Sequence, residues 1–156
     1  MGALYQIRPA TLADVPVLLV LERECFSDPW SAQSIGDAIQ SGTSRAFVAE
    51  HRTDVVGYIL ARISGREGEI LDLAVLPRAR RQGIARGLLG TVSEALREAG
   101  VQEVYLEVRE SNQPAIALYQ AEGYRPMGMR PHYYRNPPED AVVLRAALPP
   151  RDIWDR

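Results

Sequence analysis

Residues 71–89 read Leu-Asp-Leu-Ala-Val-Leu-Pro-Arg-Ala-Arg-Arg-Gln-Gly-Ile-Ala-Arg-Gly-Leu-Leu, and this stretch decides the fold. Alternating apolar positions at Leu71, Leu73 and Val75 predict a buried strand, which Pro77 ends because proline cannot donate a hydrogen bond to a sheet. A helical pattern of apolar residues begins a few positions later. The stretch therefore predicts a strand, an arginine-rich turn and a helix in direct succession.

The turn has the chemistry of a pyrophosphate site that needs neither a metal nor a lysine. Gly83 has no Cβ, so backbone amides can approach an anion closely there, and the following helix points its positive end at the same place. Arg80, Arg81 and Arg86 add charge-assisted contacts to phosphate oxygens. The ATP-binding loop requires Gly-Lys-Ser/Thr, but this chain contains no lysine, and the dinucleotide fingerprint Gly-x-Gly-x-x-Gly is also absent. The ligand indicated is a diphosphate, and a solvated basic turn is the alternative.

The overall composition is that of an ordinary globular protein. A length of 156 residues suits one domain, and 46% hydrophobic with 24% charged residues allows a substantial core. A formal net charge of −2 and an isoelectric point near 5.7 argue against direct binding of nucleic acid.

The single cysteine, the histidines and the hydropathy of the chain argue against disulfides, a metal site and a membrane span. Cys25 is the only cysteine, so no intrachain disulfide can form, which fits a reducing, cytoplasmic location. Cys25, His51 and His132 make no recognisable metal-ligand set, so no metal is expected. The longest apolar run, residues 17–21, is too short to span a bilayer, and no membrane partner is expected.

Periodicity along the chain predicts the element order β-α-α-β-β-β-α-β-α-β-β. Thr11 and Asp14 have capping-box spacing at the start of the first helix, and Gly100 and Gly123 end the two later helices. The predicted strands span residues 4–8, 46–50, 55–62, 71–75, 104–108, 124–134 and 141–148, the helices span 11–25, 31–42, 84–99 and 112–123, and 64–68 is a turn. These elements make residues 1–148 one domain, and the proline-containing tail at 149–156 is predicted to be flexible.

Two features together resemble the GNAT family of N-acetyltransferases. The hexapeptide Arg80-Arg81-Gln82-Gly83-Ile84-Ala85 is similar to the acyl-CoA signature of that family, Arg/Gln-x-x-Gly-x-Gly/Ala, and the element order matches the family fold over nearly the whole chain. The resemblance implies a mixed α/β (α+β) domain with a mostly antiparallel central sheet, in which two splayed strands admit acetyl-CoA as the co-substrate. The residues that it implies for binding acetyl-CoA are Leu73, Ala74, Val75, Arg80, Arg81, Gln82, Gly83, Ile84, Ala85, Arg86 and Asn112.

Acyl transfer from a thioester to an amine needs a base, a stabilised oxyanion and a proton donor for the departing thiolate. Residues 106–119, Leu-Glu-Val-Arg-Glu-Ser-Asn-Gln-Pro-Ala-Ile-Ala-Leu-Tyr, resemble the GNAT subfamily of ribosomal-protein alanine N-acetyltransferases. That resemblance implies that Glu107 deprotonates the substrate amine and that Tyr119 protonates the thiolate. By residue pattern alone, Glu107 is also typical of a solvated strand position and Tyr119 of a helix packed on the core. Asn112 has two open roles, as a helix cap and as a ligand of the pantetheine amides.

Two further segments resemble the substrate side of the same subfamily. Phe26-Ser27-Asp28-Pro29-Trp30 is similar to its phenylalanine-serine-x-proline-tryptophan loop, and Tyr133-Tyr134 is similar to its tyrosine pair. The resemblance implies that Phe26, Trp30, Tyr133 and Tyr134 bind the substrate, with core packing as the alternative for the tyrosines. The chain departs from the subfamily at residues 135–138, Arg-Asn-Pro-Pro, which lack its usual glycine. The peptide preference therefore stays open.

These resemblances imply an enzyme that transfers acetyl from acetyl-CoA directly to the α-amine of a protein in a ternary complex. The substrate that they imply is the N-terminal alanine of a small-subunit ribosomal protein. Two alternatives stay open: an acetyltransferase that acts on lysine side chains or a small amine, and a CoA-binding regulatory partner without turnover. The sequence leaves the oligomeric state open, and a monomer is favoured.

Overall fold

The computed structural model describes residues 5–150, and its elements follow the predicted order. The strands are β1 (Gln6–Pro9), β2 (Ser44–His51), β3 (Asp54–Ser64), β4 (Glu67–Val75), β5 (Glu103–Arg109), β6 (Arg125–Arg135) and β7 (Pro138–Ala147). The helices are α1 (Val15–Cys25), α2 (Ala32–Gln40), α3 (Ile84–Glu98) and α4 (Gln113–Ala121), with single 3-10 turns at Leu12–Asp14 and Pro77–Ala79. Leu4 in the first predicted strand and residues 151–156 of the predicted flexible tail lie outside the described residues.

Strands β3 and β4 extend further than the sequence pattern predicted. The predicted turn at residues 64–68 shrinks to Gly65 and Arg66, because Ser64 already pairs with Glu67 across the hairpin. Gly65 has a φ of 61°, a left-handed conformation that glycine adopts at little cost in a tight turn. The longer hairpin extends the sheet at the end where β4 also meets β5.

The seven strands form one sheet in the order β1-β2-β3-β4-β5-β7-β6. Every neighbouring pair is antiparallel except β4 and β5, which are parallel. The prediction of a mixed α/β domain with a mostly antiparallel central sheet is thereby confirmed.

The parallel pair is where the sheet opens. Only residues 67–69 of β4 pair with residues 103–105 of β5, and the two strands have no ladder pairing beyond that point. Residues 70–75 of β4 therefore have no partner strand on the side of β5. A gap opens between the two strands, as the resemblance implied.

Helices cover both faces of the sheet around β3. Residues 55–61 of β3 are buried at every position, although an antiparallel strand with one solvated face would alternate. A Cβ on Gly57 would lie 3.3 Å from both Ile84 and Leu88 of α3, whereas the side chain of the next residue, Tyr58, reaches Glu22 of α1. Because successive strand residues point to opposite faces, α3 lies on one face and α1 on the other.

The buried positions of β4 differ from the ones that the sequence pattern predicted. Leu71 and Leu73 are only half-buried, whereas Ile70, Asp72 and Ala74 are buried. The prediction of three buried apolar positions holds for Val75 but is wrong for the two leucines. The physical reason is the missing partner strand, because side chains beside the gap remain open to solvent.

Candidate active site

Two connected depressions follow the gap between β4 and β5. The first, here called the β5 cavity, has Glu22, Asp72, Glu107 and Tyr134 among its lining residues. The second, here called the turn groove, runs from Val75 along the arginine-rich turn to the start of α3. The residues that line both depressions are Cys25, Phe26, Leu73, Asn112, Ala115 and Tyr119. Because their linings overlap, they form one channel with a polar end and a basic end.

The arginine-rich turn is shaped by two left-handed residues. Arg81 has a φ of 63°, and Gly83, the residue before α3, has a φ of 79° and a ψ of 10°. The hydroxyl of Tyr5 donates to the carbonyl oxygen of Gly83 at 3.0 Å, which fixes the turn against β1. A Cβ on Gly83 would meet nothing within 4 Å, so glycine is favoured there by its backbone conformation. The turn leaves the N-terminus of the 15-residue helix α3 facing the groove.

The predicted phosphate-binding residues are not all equally placed. Arg80, Arg81 and Arg86 line the turn groove together with Gly83, Ile84 and Ala85, but Gln82 is exposed and lies outside that lining. The guanidinium of Arg86 donates to Glu122 at 2.8 Å, so an anion bound there would compete with this ion pair. These assignments stay predictions, with Gln82 the least supported by geometry.

Strand β4 supplies the other wall of the groove. Leu73, Ala74 and Val75 all line it, and their part in binding acetyl-CoA stays a prediction. The Val75 carbonyl oxygen, however, already accepts from Arg80 Nε at 3.0 Å and from the Cys25 thiol at 3.5 Å. A pantetheine arm that pairs with β4 would therefore use other backbone groups of this strand.

Asn112 can hold both of the roles that the sequence left open. Its Oδ1 accepts from the backbone N–H of Ala115 at 3.2 Å, which makes it the N-cap of α4. Its side chain also borders both the β5 cavity and the turn groove. Since the cap uses only the oxygen, the side-chain amide can donate to a ligand in the channel.

Glu107 lies on the face of β5 that opens to the gap. Burial alternates along β5, with Val104, Leu106 and Val108 buried and Glu107 partly exposed in the β5 cavity. Its Oε1 accepts from Arg130 Nη1 at 2.9 Å, and the Arg130 side chain is 56% exposed. Its other oxygen accepts no hydrogen bond within residues 5–150 and is available to a substrate amine or a water. Arg130 was not predictable from the sequence because it is 23 residues away on β6.

Tyr119 lies where the two depressions meet. Its side chain belongs to the lining of both, although the residue is only 7% exposed. Burial raises the pKa of its hydroxyl, so the phenol keeps its proton at neutral pH. Its ring packs edge-on against Tyr124 with centroids 5.6 Å apart. Tyr119 therefore packs in the core and also faces the channel, and its role as the proton donor stays a prediction.

The predicted substrate residues divide between the cavity and the surface. Phe26, Trp30 and Tyr134 line the β5 cavity. Tyr133 is 42% exposed and lies outside that lining, with the Arg130 guanidinium 4.7 Å from its ring centroid. Geometry thus supports three of the four residues as cavity walls. Tyr133 can meet only a substrate that extends out of the cavity.

Arg109 holds the β6–β7 hairpin over the cavity, a role that sequence analysis missed. Its guanidinium donates to the carbonyl oxygen of Pro137 at 2.9 Å and to Glu139 at 3.2 Å, and it lies 4.3 Å from the Tyr134 ring centroid. Glu139 also accepts from the backbone N–H of Ser111 at 2.6 Å. Hydrogen bonding by the side chain and then the backbone of Ser111, together with the ion pair with Arg109, lowers the pKa of Glu139. The sequence feature that could have indicated this contact is the triplet Glu139-Asp140-Ala141 near the start of β7, because its glutamate is the partner of Arg109.

Two buried carboxyl groups, Glu22 and Asp72, also line the β5 cavity and were missed as well. An aspartate inside an otherwise apolar strand was the available signal, because ionisable residues are rarely buried without a partner.

Within residues 5–150, no three His, Cys, Asp or Glu side chains lie grouped so as to hold a metal ion. The helices described between these bounds are all too short or too polar to cross a bilayer.

We expect Gly83→Ala to lower the free energy of unfolding by about 1–2 kcal/mol, because the left-handed backbone conformation is costly for a residue with a Cβ. It should also raise the KM for acetyl-CoA, since the turn can relax only by moving its amides. Urea unfolding and initial-rate kinetics measure the two effects. The matched control is Gly90→Ala on the exposed side of α3, which should stabilise the protein by about 0.5–1 kcal/mol. Unchanged stability and an unchanged KM in Gly83→Ala would contradict the proposed role of the turn.

The fold and the channel together are those of an acetyltransferase. Residues 15–124 match the model of the Acetyltransferase (GNAT) family, and the chain therefore belongs to this family. It is 34% identical to an N-alpha-acetyltransferase of Sulfurisphaera tokodaii over 94% of this chain and 95% of that protein. It is also 30% identical to the ribosomal protein bS18-alanine N-acetyltransferase of Escherichia coli, over 87% of this chain and 91% of that protein.

Solved structures show the same fold. The crystal structure of the ribosomal-protein-S18-alanine N-acetyltransferase from Escherichia coli superposes with a TM-score of 0.87 at 26% identity, covering 96% of this chain and 97% of that one. An acetyltransferase of the GNAT family from Elizabethkingia anophelis, solved with acetyl-CoA bound, has a TM-score of 0.78 at 19% identity and covers 94% and 100% of the two chains. The second likeness shows the fold alone.

Proposed function

We propose that this protein transfers the acetyl group of acetyl-CoA to the α-amine of a protein N-terminus. The observation that carries the proposal is the continuous channel, which joins a basic turn at one end to Glu107 at the other and passes Tyr119 between them. Relatives that are named as an N-alpha-acetyltransferase and as a ribosomal protein bS18-alanine N-acetyltransferase support the choice of acceptor.

The channel is suited to acetyl-CoA on its own geometry. The left-handed turn at Arg81 and Gly83, the start of α3 and three arginines offer amides and positive charge to a diphosphate. The apolar walls of Leu73 and Ala115 and the side-chain amide of Asn112 suit an extended arm with amide groups. Acetyl-CoA supplies the activated acetyl group at the point where the groove meets the β5 cavity.

The side chains of the chain then move two protons. Glu107 takes a proton from the acceptor amine, directly or through a water, so that the nitrogen lone pair can attack the thioester carbonyl carbon. A C–N bond forms and the C–S bond breaks. The Tyr119 hydroxyl gives its proton to the departing thiolate. Glu107 later returns to Tyr119 the proton that it took from the amine. The nitrogen loses its second proton to solvent after the attack, so a protonated terminus and acetyl-CoA give an amide, free CoA and one released proton.

An α-amine is the acceptor that a carboxylate base serves best. Its ordinary pKa is about 8, whereas that of a lysine amine is about 10.4, so the α-amine loses its proton more easily near neutral pH. The cavity also offers the side chains of Asp28 and Glu107 to a cationic terminus. Within this class we propose the N-terminal alanine of a small-subunit ribosomal protein, on the strength of the Escherichia coli relative.

The decisive assay compares a short peptide that has a free N-terminal alanine with the same peptide blocked at its N-terminus and carrying an internal lysine. Acetylation of the free terminus alone is the expected result, and mass spectrometry locates the added group. Acetylation of the blocked peptide would make the enzyme a lysine acetyltransferase. Bound acetyl-CoA with no transfer to either peptide would favour a small-molecule acceptor or a regulatory role. Varying the first residue of the peptide then tests the preference for alanine.

Direct transfer predicts that Cys25 is dispensable as a nucleophile. Burial raises the pKa of the Cys25 thiol, which donates weakly to the Val75 carbonyl oxygen, so the reactive thiolate is disfavoured. We expect Cys25→Ala to retain turnover within about tenfold of the wild type, whereas removal of an obligatory covalent nucleophile abolishes it. An acetylated cysteine trapped by rapid quench, or complete loss of turnover in a folded variant, would overturn direct transfer.

A further inference from the structure

Three buried polar side chains meet behind the β5 cavity and are not used by the proposed chemistry. Glu22 of α1 is 0% exposed, Tyr58 of β3 is 1% exposed and Asp72 of β4 is 9% exposed. The Tyr58 hydroxyl oxygen lies 2.8 Å from Glu22 Oε2 and 2.6 Å from Asp72 Oδ2. Both carboxyl groups also border the β5 cavity, beside the position of Glu107.

Counting protons shows that one of these carboxyl groups is protonated. A tyrosine hydroxyl has a single hydrogen, so it can donate to only one of its two carboxyl neighbours. The other contact is also of hydrogen-bond length, and it needs a proton on the carboxyl group, which then donates to the Tyr58 oxygen. Glu22, Tyr58 and Asp72 therefore share two protons and one negative charge. Removing the extra proton would leave two carboxylates facing one hydroxyl.

The electrostatics of the site agree with this count. Burial, followed by the contact with Glu22, raises the pKa of Asp72 to about 8. Burial and the two carboxyl groups also raise the pKa of Tyr58, so its phenol stays protonated. The other charged or titratable side chains that face this cluster or its cavity are Cys25, Asp28, Arg80, Glu107, Arg109, Tyr119 and Tyr134.

The cluster is also connected to the loop that lines the acceptor side of the cavity. The backbone N–H of Trp30 donates to Glu22 Oε1 at 2.8 Å, while the other oxygen of Glu22 faces Tyr58. Trp30 ends the loop of residues 26–30, whose members Phe26, Ser27, Asp28 and Trp30 line the β5 cavity. One carboxyl group therefore joins the loop to the shared proton.

We propose that Glu22, Tyr58 and Asp72 are positioning residues that hold the acceptor loop through one shared proton. In the protonated network Glu22 keeps one oxygen on Trp30. Loss of the proton places two buried negative charges side by side, and their repulsion releases the loop and weakens the binding of the acceptor. This inference rests on the proposed function in one respect, because it takes the loop of residues 26–30 as the wall of the cavity that contacts the acceptor.

The first test measures the proton without any need for turnover. A carboxyl whose folded pKa is about 8, against 3.8 as its ordinary value, stabilises the fold fully below pH 3.8, and this contribution is lost as the pH rises through about 8. In Asp72→Asn the side-chain amide donates to Tyr58, which can then donate to Glu22, so the contacts persist without the titrating proton. Between about pH 5 and pH 7.5, the unfolding constant of the wild type in urea should rise close to tenfold per pH unit relative to that of Asp72→Asn.

The matched control for this measurement is Asp37→Asn, on the exposed surface of α2, which should follow the wild-type curve. Parallel curves for Asp72→Asn and the wild type would overturn the shared proton. Glu22→Gln gives a second check, because its amide can both accept from Trp30 and donate to Tyr58. This variant should likewise lose the pH dependence.

The second test follows the loop. Trp30 and Trp154 are the only tryptophans in the sequence, so Trp154→Phe leaves Trp30 as the single tryptophan, which excitation at long wavelength selects over the tyrosines. Its emission should shift to longer wavelength as the pH rises through about 8, and the shift should be absent when Asp72→Asn is added. A pH-independent emission, or the same shift in both proteins, would overturn the link to the loop.

Kinetics with the peptide complete the test. Glu22→Ala should raise the peptide KM with little change in the KM for acetyl-CoA, and Glu22→Gln should restore it. The wild-type kcat/KM for the peptide should fall above about pH 8, and Asp72→Asn should lack that fall. Equal pH profiles would overturn the coupling to acceptor binding. If no peptide is acetylated by any protein, the proposed function fails, while the unfolding and fluorescence results still decide the network.

Discussion

Glu107→Gln is expected to lower kcat by about 10²- to 10⁴-fold, because the amide that replaces the carboxylate cannot accept the proton of the acceptor amine. The KM for acetyl-CoA should change little, since Glu107 lines the β5 cavity and is not part of the turn groove. Steady-state kinetics with a saturating peptide, together with calorimetric titration of acetyl-CoA, separate the two quantities. The substitution preserves the shape of the side chain and its contact to Arg130, so it tests proton transfer more than packing.

The same strand provides a matched control for Glu107. Glu103 is four residues earlier on the same face of β5, is paired with Arg145 at 2.5 Å and lies outside the β5 cavity. Glu103→Gln removes an equivalent carboxylate and should leave kcat close to the wild-type value. If Glu107→Gln keeps the wild-type rate across the whole pH range, Glu107 is not the base. Equal losses in the two variants would point to a general effect of charge on β5.

Tyr119→Phe is expected to reduce kcat by about 10²-fold, because the leaving thiolate loses its proton donor. The phenylalanine ring keeps the packing of Tyr119 against Tyr124. Within residues 5–150 the Tyr119 hydroxyl forms no hydrogen bond with the protein, so its removal leaves no buried partner unpaired. The free energy of unfolding should therefore stay near the wild-type value while turnover falls, and urea unfolding with single-turnover kinetics measures both.

Tyr124 serves as the control for this substitution. It is buried beside Tyr119, burial raises the pKa of its hydroxyl as well, and it lies outside both depressions. Tyr124→Phe should therefore leave kcat nearly unchanged. A Tyr119→Phe enzyme with full activity would show that the thiolate leaves without a donor or takes its proton from water. If Tyr119 is the acid, the loss of rate in Tyr119→Phe should be larger with an acyl donor whose thiolate is a poorer leaving group.

Arg130 connects Glu107 to a residue outside the β5 cavity. Its guanidinium links Glu107 to the exposed ring of Tyr133, so the proposed base and the proposed outer substrate residue share one side chain. Because Arg130 is largely exposed, its ion pair with Glu107 is screened by solvent and can yield to a bound substrate. An acceptor peptide that reaches the cavity past Tyr133 must pass this arginine.

The order of the elements and the position of the arginine-rich turn were predictable because they depend on local pattern. The spacing of apolar residues predicts a helix along residues 84–99, and α3 runs from Ile84 to Glu98 with Ile84, Leu88, Val92 and Leu96 buried. Leu89 is also buried, outside that spacing. Gly83 and the arginines before it identify the turn, since a left-handed residue and clustered charge are encoded by adjacent positions. The site residues that the family resemblance implied stay predictions.

Only the tertiary structure decides which distant side chains meet. Arg130 reaches Glu107 across 23 residues, and Tyr58 joins Glu22 and Asp72, which are 36 and 14 residues away from it in the chain. No periodicity encodes such pairs, because the chemistry of a side chain does not specify its partner until the sheet brings both together. The half-burial of Leu71 and Leu73 has the same origin, since it depends on where β4 and β5 part. The sequence by itself therefore determined the family fold and its arginine-rich turn, whereas the diverging strands decided which carboxyl groups are buried, paired or open to the cavity.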